Sequence, residues 1–301
     1  VSPVRSRFDS DRQLTVRMLT VVFLLGLLYV AFVAALVVLL KSTVLIIVIV
    51  AALLAAQYWY SDRIILFAMH AHEVTPEQAP QLHGAVDRLC AMADMPKPRI
   101  ALSDSDLPNA FATGRNADHA VLCVTTGLLR RLEPAELDGV LAHELSHVAH
   151  RDVAVITIAS FLGVIAGLVA RFALYSGIGR RRDQNTALIF AAVMVISTTV
   201  YAVSFLLIRA LSRYRELAAD RSAAQLTGRP SALASALVKV DGEMAGIPTK
   251  DLRTAQSFNA FFFTPAFTKE RSLGNLFSTH PSLQQRLDAL AKISATMGES
   301  G

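Results

Sequence analysis

The chain has 301 residues, 53% of them hydrophobic and only 18% charged, with a mean hydropathy of +0.45. This is too apolar for an ordinary soluble domain of that length and far too apolar for a disordered one. The net charge of +5 is not laid out as a nucleic-acid footprint: Arg5, Arg7, Arg12 and Arg17 crowd the start, and Arg180, Arg181 and Arg182 form the tight cluster. Both groups flank long apolar runs, so membrane anchoring explains them and no nucleic-acid partner is expected.

Residues 18–40 carry no charge. At ~1.5 Å per residue the run reaches ~34 Å, enough to cross a hydrocarbon core of ~30 Å. A signal peptide has an apolar region of only ~7–15 residues followed by a polar mature chain. Here Lys41 and Ser42 lead at once into a second run, 43–60, so a helical hairpin is expected, with Tyr58, Trp59 and Tyr60 at the interface. Runs 153–170 and 187–208 form a second pair around the arginine cluster. The expected organisation is therefore an N-terminal cytoplasmic segment (1–17), a hairpin (18–60), a polar piece (61–152), a second membrane pair (153–208) and a second polar piece (209–301). Each polar piece is short, but together they can bury one sizeable core.

In the first polar piece, Thr75-Pro76-Glu77-Gln78 reads as a helix start, with a capping threonine, proline in the first turn and Gln78 as the capping-box partner. Leu82, Val86, Leu89 and Ala93 recur at helical spacing before Pro96. Residues 99–103 and 120–125 are β-rich and bracket Asn109-Ala110-Phe111-Ala112-Thr113 and a turn-like 114–118, which predicts a small antiparallel sheet. Glu133-Pro134-Ala135-Glu136 opens another helix, whose continuation to Asp152 can run into the third span. Cys90 and Cys123 fall in no metal-binding spacing and are too few for a disulfide framework, so they are read as buried, reduced thiols.

The helix after Glu133 contains His143-Glu144-Leu145-Ser146-His147. Residues four apart share a helical face, so both imidazoles can bind one metal ion, with Glu144 beside it to take a proton from a metal-bound water and deliver it to a leaving amine. His150 lies near the same face, but a full turn past His147 carries it ~5 Å along the axis, away from the ion. Glu216, in Arg213-Tyr214-Arg215-Glu216-Leu217-Ala218-Ala219-Asp220, is the better third ligand, on a helix that ends at Gly228 and Pro230. Asp220, four residues on, is placed to accept an imidazole N–H. The bland alternative is that Glu216 and Asp220 pair with nearby arginines. Two spans separate His147 from Glu216, so both fall on one side of the bilayer. The arginines near the start put that side in the cytoplasm, whereas Arg180 to Arg182 oppose that orientation.

With these residues in view, the chain resembles the HtpX-type membrane zinc metalloproteases, bacterial relatives of the CAAX prenyl proteases in the gluzincin group. The similarity runs over nearly the whole chain. It rests on Asn109 to Gly114, on the histidine motif with Asp152, on Ser212-Arg213-Tyr214-Arg215-Glu216 with Ala219-Asp220, and on Thr279-His280-Pro281 with Arg286. Leu217 stands where the family often has an aromatic residue. The resemblance implies one zinc ion per chain held by His143, His147 and Glu216, Glu144 as the base, and Asp220, Asp152 and Arg286 around the ligands. It also implies an edge strand of Asn109, Ala110, Phe111, Ala112 and Thr113 that pairs with extended substrate. His280 is the candidate to stabilise the oxyanion, with Arg286 supporting it or the acidic cluster; His280 is equally readable as a helix-entry residue held by Pro281. Phe258, Phe261, Phe262, Phe263 and Phe267 are read as core, with apolar substrate or lipid as the other use.

The expected fold is a mainly α-helical, multi-pass cell-membrane protein, with four transmembrane helices and a zincin-like α+β catalytic domain built from 61–152 and 209–301. The expected activity is zinc-dependent endopeptidase cleavage of misfolded or surplus membrane proteins, the partners being polypeptides and the lipid bilayer. An intramembrane protease is disfavoured by the charges on either side of the histidine motif. The alternative from another class is a non-catalytic membrane metal sensor or scaffold, against which Glu144 argues, because metal binding alone does not need it.

Overall fold

The computed structural model describes residues 11–40, 69–114, 116–150, 184–246 and 281–298, with isolated positions between 48 and 67. These residues fall in two compact units, Thr15–Ser61 with Val155–Leu211, and Val1–Leu14 with Asp62–Ala154 and Ser212–Gly301.

In the first of these units, α1 (Arg12–Leu40) is apolar along its length, and so is the first half of the long helix here named α5 (Gln184–Thr227). Both are long and apolar enough to cross a membrane. Val16, Leu19, Phe23, Leu27 and Val30 on α1 and Leu188, Val195, Tyr201 and Leu206 on α5 are exposed, which a core helix of a soluble protein would not allow. These are the two candidate spans among the described residues. The runs expected at 153–170 and, except for a few positions, at 43–60 lie outside them. Run 187–208 is part of α5 and continues without a break to Thr227, so the separate helix expected around Glu216 is the end of a longer one. That helix stops where Gly228 takes φ +67°, a left-handed conformation open to a residue without Cβ.

The second unit is built on a four-stranded sheet, β1 (Ala71–Glu73), β2 (Arg99–Ser103), β3 (Ala110–Thr113) and β4 (Val121–Thr125), in the order β1-β2-β4-β3. It is mixed, not antiparallel as the sequence predicts: β4 is antiparallel to β3 but parallel to β2, pairing Arg99 with Val121 and Ser103 with Thr125. The β3–β4 hairpin folds back so that β4 enters beside β2 and β3 is left at the edge. Strand-forming residues announce extended backbone but not the direction of the neighbour. Every residue of β4 is buried because both its faces are covered. Leu122 and Val124 join the main core with Val86, Leu89, Val140, Leu141 and Leu237, while Val121 and Cys123 pack with Leu66, Ala101 and Phe111 on the other face.

Helix α2 (Pro80–Ala93) buries the predicted stripe of Leu82, Val86, Leu89 and Ala93 but begins later than Thr75. Thr75 N–H does donate to the Gln78 side chain at 2.8 Å, closing one isolated turn, and proline at the helix's first position then starts α2. A short α3 (Thr126–Arg131) follows β4 directly, capped by Thr125. The thiols of Cys90 and Cys123 are free and buried, and burial pushes them up to about 11 and about 12.

Helix α4 (Pro134–Ala149) has the predicted start: Glu133 and Glu136 cap each other's backbone N–H in a full capping box. The Glu136 carboxylate also accepts from Ser235 at 2.6 Å and Lys239 at 2.8 Å, both on α6 (Pro230–Gly246). Helix α7 (Leu283–Met297) carries its own capping box, Ser282 with Gln285. Buried Glu136 thus ties α4 to α6 while finishing the end of α4. Replacing Glu136 with Ala is expected to cost about 1–3 kcal/mol, since an N-terminal cap and a buried hydrogen-bonded network are lost together. The measurement is the thermal unfolding midpoint in detergent, and an unchanged midpoint would exclude this role.

Candidate metal centre

Helix periodicity brings His143 and His147 to one face of α4, their rings 4.8 Å apart and at 89° to each other. Both are buried. Glu216, on α5, faces them: its Oε2 lies 3.4 Å from His143 Nε2 and its Oε1 3.6 Å from His147 Nε2. One ligand atom from each of the three lies within 4.8 Å of the others, so two nitrogens and one carboxylate oxygen are gathered where a single cation can touch them all. His150, the other ligand considered, turns back along its own helix, with Nδ1 2.8 Å from the Ser146 carbonyl.

The outer atoms of these side chains are held in turn. Asp220 Oδ1 lies 2.9 Å from His143 Nδ1, so a proton there is shared with the carboxylate and Nε2 is left facing Glu216. Arg286, from the start of α7, donates to both Asp220 oxygens, Nε to Oδ2 at 2.8 Å and Nη2 to Oδ1 at 2.6 Å. Of the two groups named as partners of Arg286, the acidic cluster is the one that falls among the described residues, and Arg286 contacts it. Arg215 brings a buried guanidinium to 3.4 Å from His147 Nδ1. Sequence reasoning gave Arg215 no role. Its only signal was its place beside Glu216. Asp152 and His280 lie outside the described residues, as do Phe258 to Phe267.

Burial opposes a proton on His143, but hydrogen bonds to Asp220 and Glu216 outweigh it and push the imidazole up to about 9. The direction follows from the two carboxylates that face the ring, and oxygens of that charge suit a cation. Glu144 points beside the ligands from the same helix. Burial raises its pKa, the two histidines pull it down, and Glu216 raises it further, leaving the carboxyl above its ordinary range. One of its oxygens accepts the Ala112 N–H at 3.1 Å. This bond joins the helix to the edge strand, and no side-chain pattern announces it because the donor is backbone.

The pattern of peptidase family M48 matches residues 76–294. The chain belongs to peptidase family M48. It is 71% identical over 298 residues to "Protease HtpX homolog 1" of Streptomyces coelicolor, covering 99% of this chain and 98% of that one. It is 51% identical to "Protease HtpX homolog" of Moorella thermoacetica, over 98% and 99% of the two chains. A crystal structure of S. mikatae Ste24p matches at TM-score 0.52 and 18% identity, covering 93% of this chain and 66% of its own, which is a likeness of fold. The resemblance read from the motifs is therefore borne out, and the chain is a metalloprotease.

The donor set fits a metal on its own terms, since three side chains leave a tetrahedral site with a position open for chemistry. Glu216→Ala removes one of the three donors and should strip most of the metal from the purified protein. Asp220→Ala, which only releases the far side of His143, should weaken binding by about 10–100-fold. Metal content by elemental analysis, with competition by a chelator, ranks the two. A Glu216→Ala protein that keeps its metal while His150→Ala loses it would reverse the assignment.

Proposed function

We propose that this chain is a membrane-embedded zinc endopeptidase that cuts misfolded or surplus membrane proteins, with one zinc ion per chain on His143, His147 and Glu216. What carries the reading is the convergence of three buried donors from two helices beside a buried carboxylate that is not one of them. Each Glu216 oxygen faces one of the two imidazoles, Oε2 at 3.4 Å from His143 Nε2 and Oε1 at 3.6 Å from His147 Nε2, and one ligand atom from each of the three residues lies within 4.8 Å of the others, so these side chains would hold the ion. When bound, the ion supplies Lewis-acid polarisation of the scissile carbonyl and acidifies a water molecule.

The chain's own residues do the rest. Glu144, raised by burial, takes the proton of the attacking water and passes it to the departing amine nitrogen. Ala112 N–H fixes the orientation of that carboxylate. Asp220 and Arg286 hold His143 so that Nε2 stays directed at the ion, and Arg215 supports His147. Strand β3, at the sheet edge, receives extended substrate backbone, for which Asn109, Ala110, Phe111, Ala112 and Thr113 supply the pairing surface. His280 stabilises the tetrahedral oxyanion, and Asp152 supports the ligands. In the metal-sensor alternative, a buried acid held beside the donors without binding the ion has no use.

Glu144→Gln should keep full zinc but lose cleavage of an unfolded, casein-like substrate by about 10²–10⁴-fold, the usual weight of general acid–base catalysis. Normal turnover by that variant would sink the mechanism.

The same reading places four spans in the cell membrane and both polar pieces in the cytoplasm. Single cysteines at Asp118 and Gln284, in a chain with Cys90 and Cys123 replaced, should share one accessibility to an impermeant thiol reagent, and one at Asp183 should show the opposite. Opposite labelling of Asp118 and Gln284 would defeat the metal centre itself. Labelling of both from outside intact cells would defeat only the orientation.

A further inference from the structure

The loop between β2 and β3 is fixed by a hub with no place in the chemistry so far. Thr125 is 1% exposed and sits where β4 ends and α3 begins. Its hydroxyl oxygen accepts the Asn109 N–H at 2.9 Å and the Leu128 N–H at 3.2 Å and donates to the Leu107 carbonyl at 2.8 Å. Its own N–H donates to the Asn109 carbonyl at 3.0 Å. Both backbone groups of Asn109 therefore end on one residue. Around it, Gly127 N–H donates to Ser105 O at 2.8 Å and Arg131 Nη1 to Asp106 O at 3.0 Å. Gly127 admits this approach because a Cβ there would fall 2.3 Å from Asp106 O.

Asn109 is the residue before β3, and three residues later Ala112 N–H meets Glu144. A strand this short has no slack, because backbone direction alternates residue by residue and a slip of one would turn the Ala112 N–H away from the carboxylate. The same alternation gives Ala110 and Ala112 a common outward edge. Moving the start of the strand therefore moves the substrate-pairing edge and the base together.

We propose that Thr125 is a positioning residue for peptide hydrolysis: its hydroxyl sets the register of β3 so that the Ala112 N–H holds the Glu144 carboxylate toward the scissile bond. This rests on the reading of Glu144 as the base and of β3 as the substrate edge. Thr125 touches neither metal donor nor substrate, so its effect falls on kcat through geometry. Valine keeps the shape of threonine but leaves the Asn109 N–H without its acceptor, whereas serine keeps the oxygen.

The test uses the full-length, zinc-loaded protein in detergent and a labelled casein as substrate. Thr125→Val should keep its zinc and lose about 10- to 100-fold in kcat, the scale of misplacing a reacting group by about 1 Å, with KM also raised as the pairing edge shifts. Thr125→Ser should restore kcat to within about threefold of the parent, a rescue that lost packing alone would not give. Unchanged kcat in a folded, zinc-containing Thr125→Val protein overturns the proposal, as does a change confined to KM or a serine variant as poor as the valine one. If Thr125→Val does not fold, Arg131→Met decides: it removes the bonds to the Asp106 and Gly127 carbonyls beside the same loop while leaving Thr125 in place, and a kcat equal to the parent overturns the proposal whereas a severalfold loss with full zinc supports it. Glu144→Gln is run alongside, because full activity in that variant would defeat the reading of the base, which the Thr125 series alone does not test.

Discussion

Two guanidiniums, three carboxyl groups and two imidazoles are withdrawn from water around one site, and the catalytic unit is organised around making that burial tolerable. Isolated, any one of these charges would be costly to bury. Arg286 meets both oxygens of Asp220, Asp220 meets the back of His143, and the front of His143 faces Glu216. The chain runs through α7, α5 and α4, so three helices far apart in sequence are locked by one continuous line of polar contacts. The net negative potential left over at the histidines is what a divalent cation would neutralise, so the binding of the ion and the compactness of the unit are two sides of the same electrostatic requirement.

The apolar core supplies the rigidity on which those polar distances depend. Leu141, Ala142 and Leu145 of α4 are fully buried between and beside the histidines, so the metal-facing side of the helix is set by packing on the other side. Glu136 does at the start of α4 what Asp220 does near its end, joining it by charge-assisted bonds to a second helix. A helix pinned at both ends and packed along its length holds its i, i+4 pair without requiring the ion to do so.

Much of the site was legible because its logic is periodic. His143 and His147 needed only the helical repeat, Glu133 and Glu136 only the capping rule, and the stripe of α2 only the spacing of its leucines. Arg286 was named without its contact being settled, since its partner lies 66 residues away in Asp220. The direction of β4 was misread because strand propensity carries no information about which neighbour a strand chooses. The start of α2 was misread because a genuine capping bond at Thr75 closed one turn and no more. Contacts made by backbone, such as Ala112 to Glu144 and Asn109 to Thr125, have no signature in side-chain identity and appear only when the chain is folded.

The two cysteines carry a consequence for the conditions under which such a site can operate. Burial holds Cys90 and Cys123 as neutral thiols far from the thiolate form that peroxide and disulfides attack, and the three converging donors are nitrogen and oxygen. Zinc sites built on sulfur lose their metal as the sulfur oxidises. A centre of imidazole and carboxylate has no such weak point, so its occupancy is decoupled from the thiol redox poise of the cell.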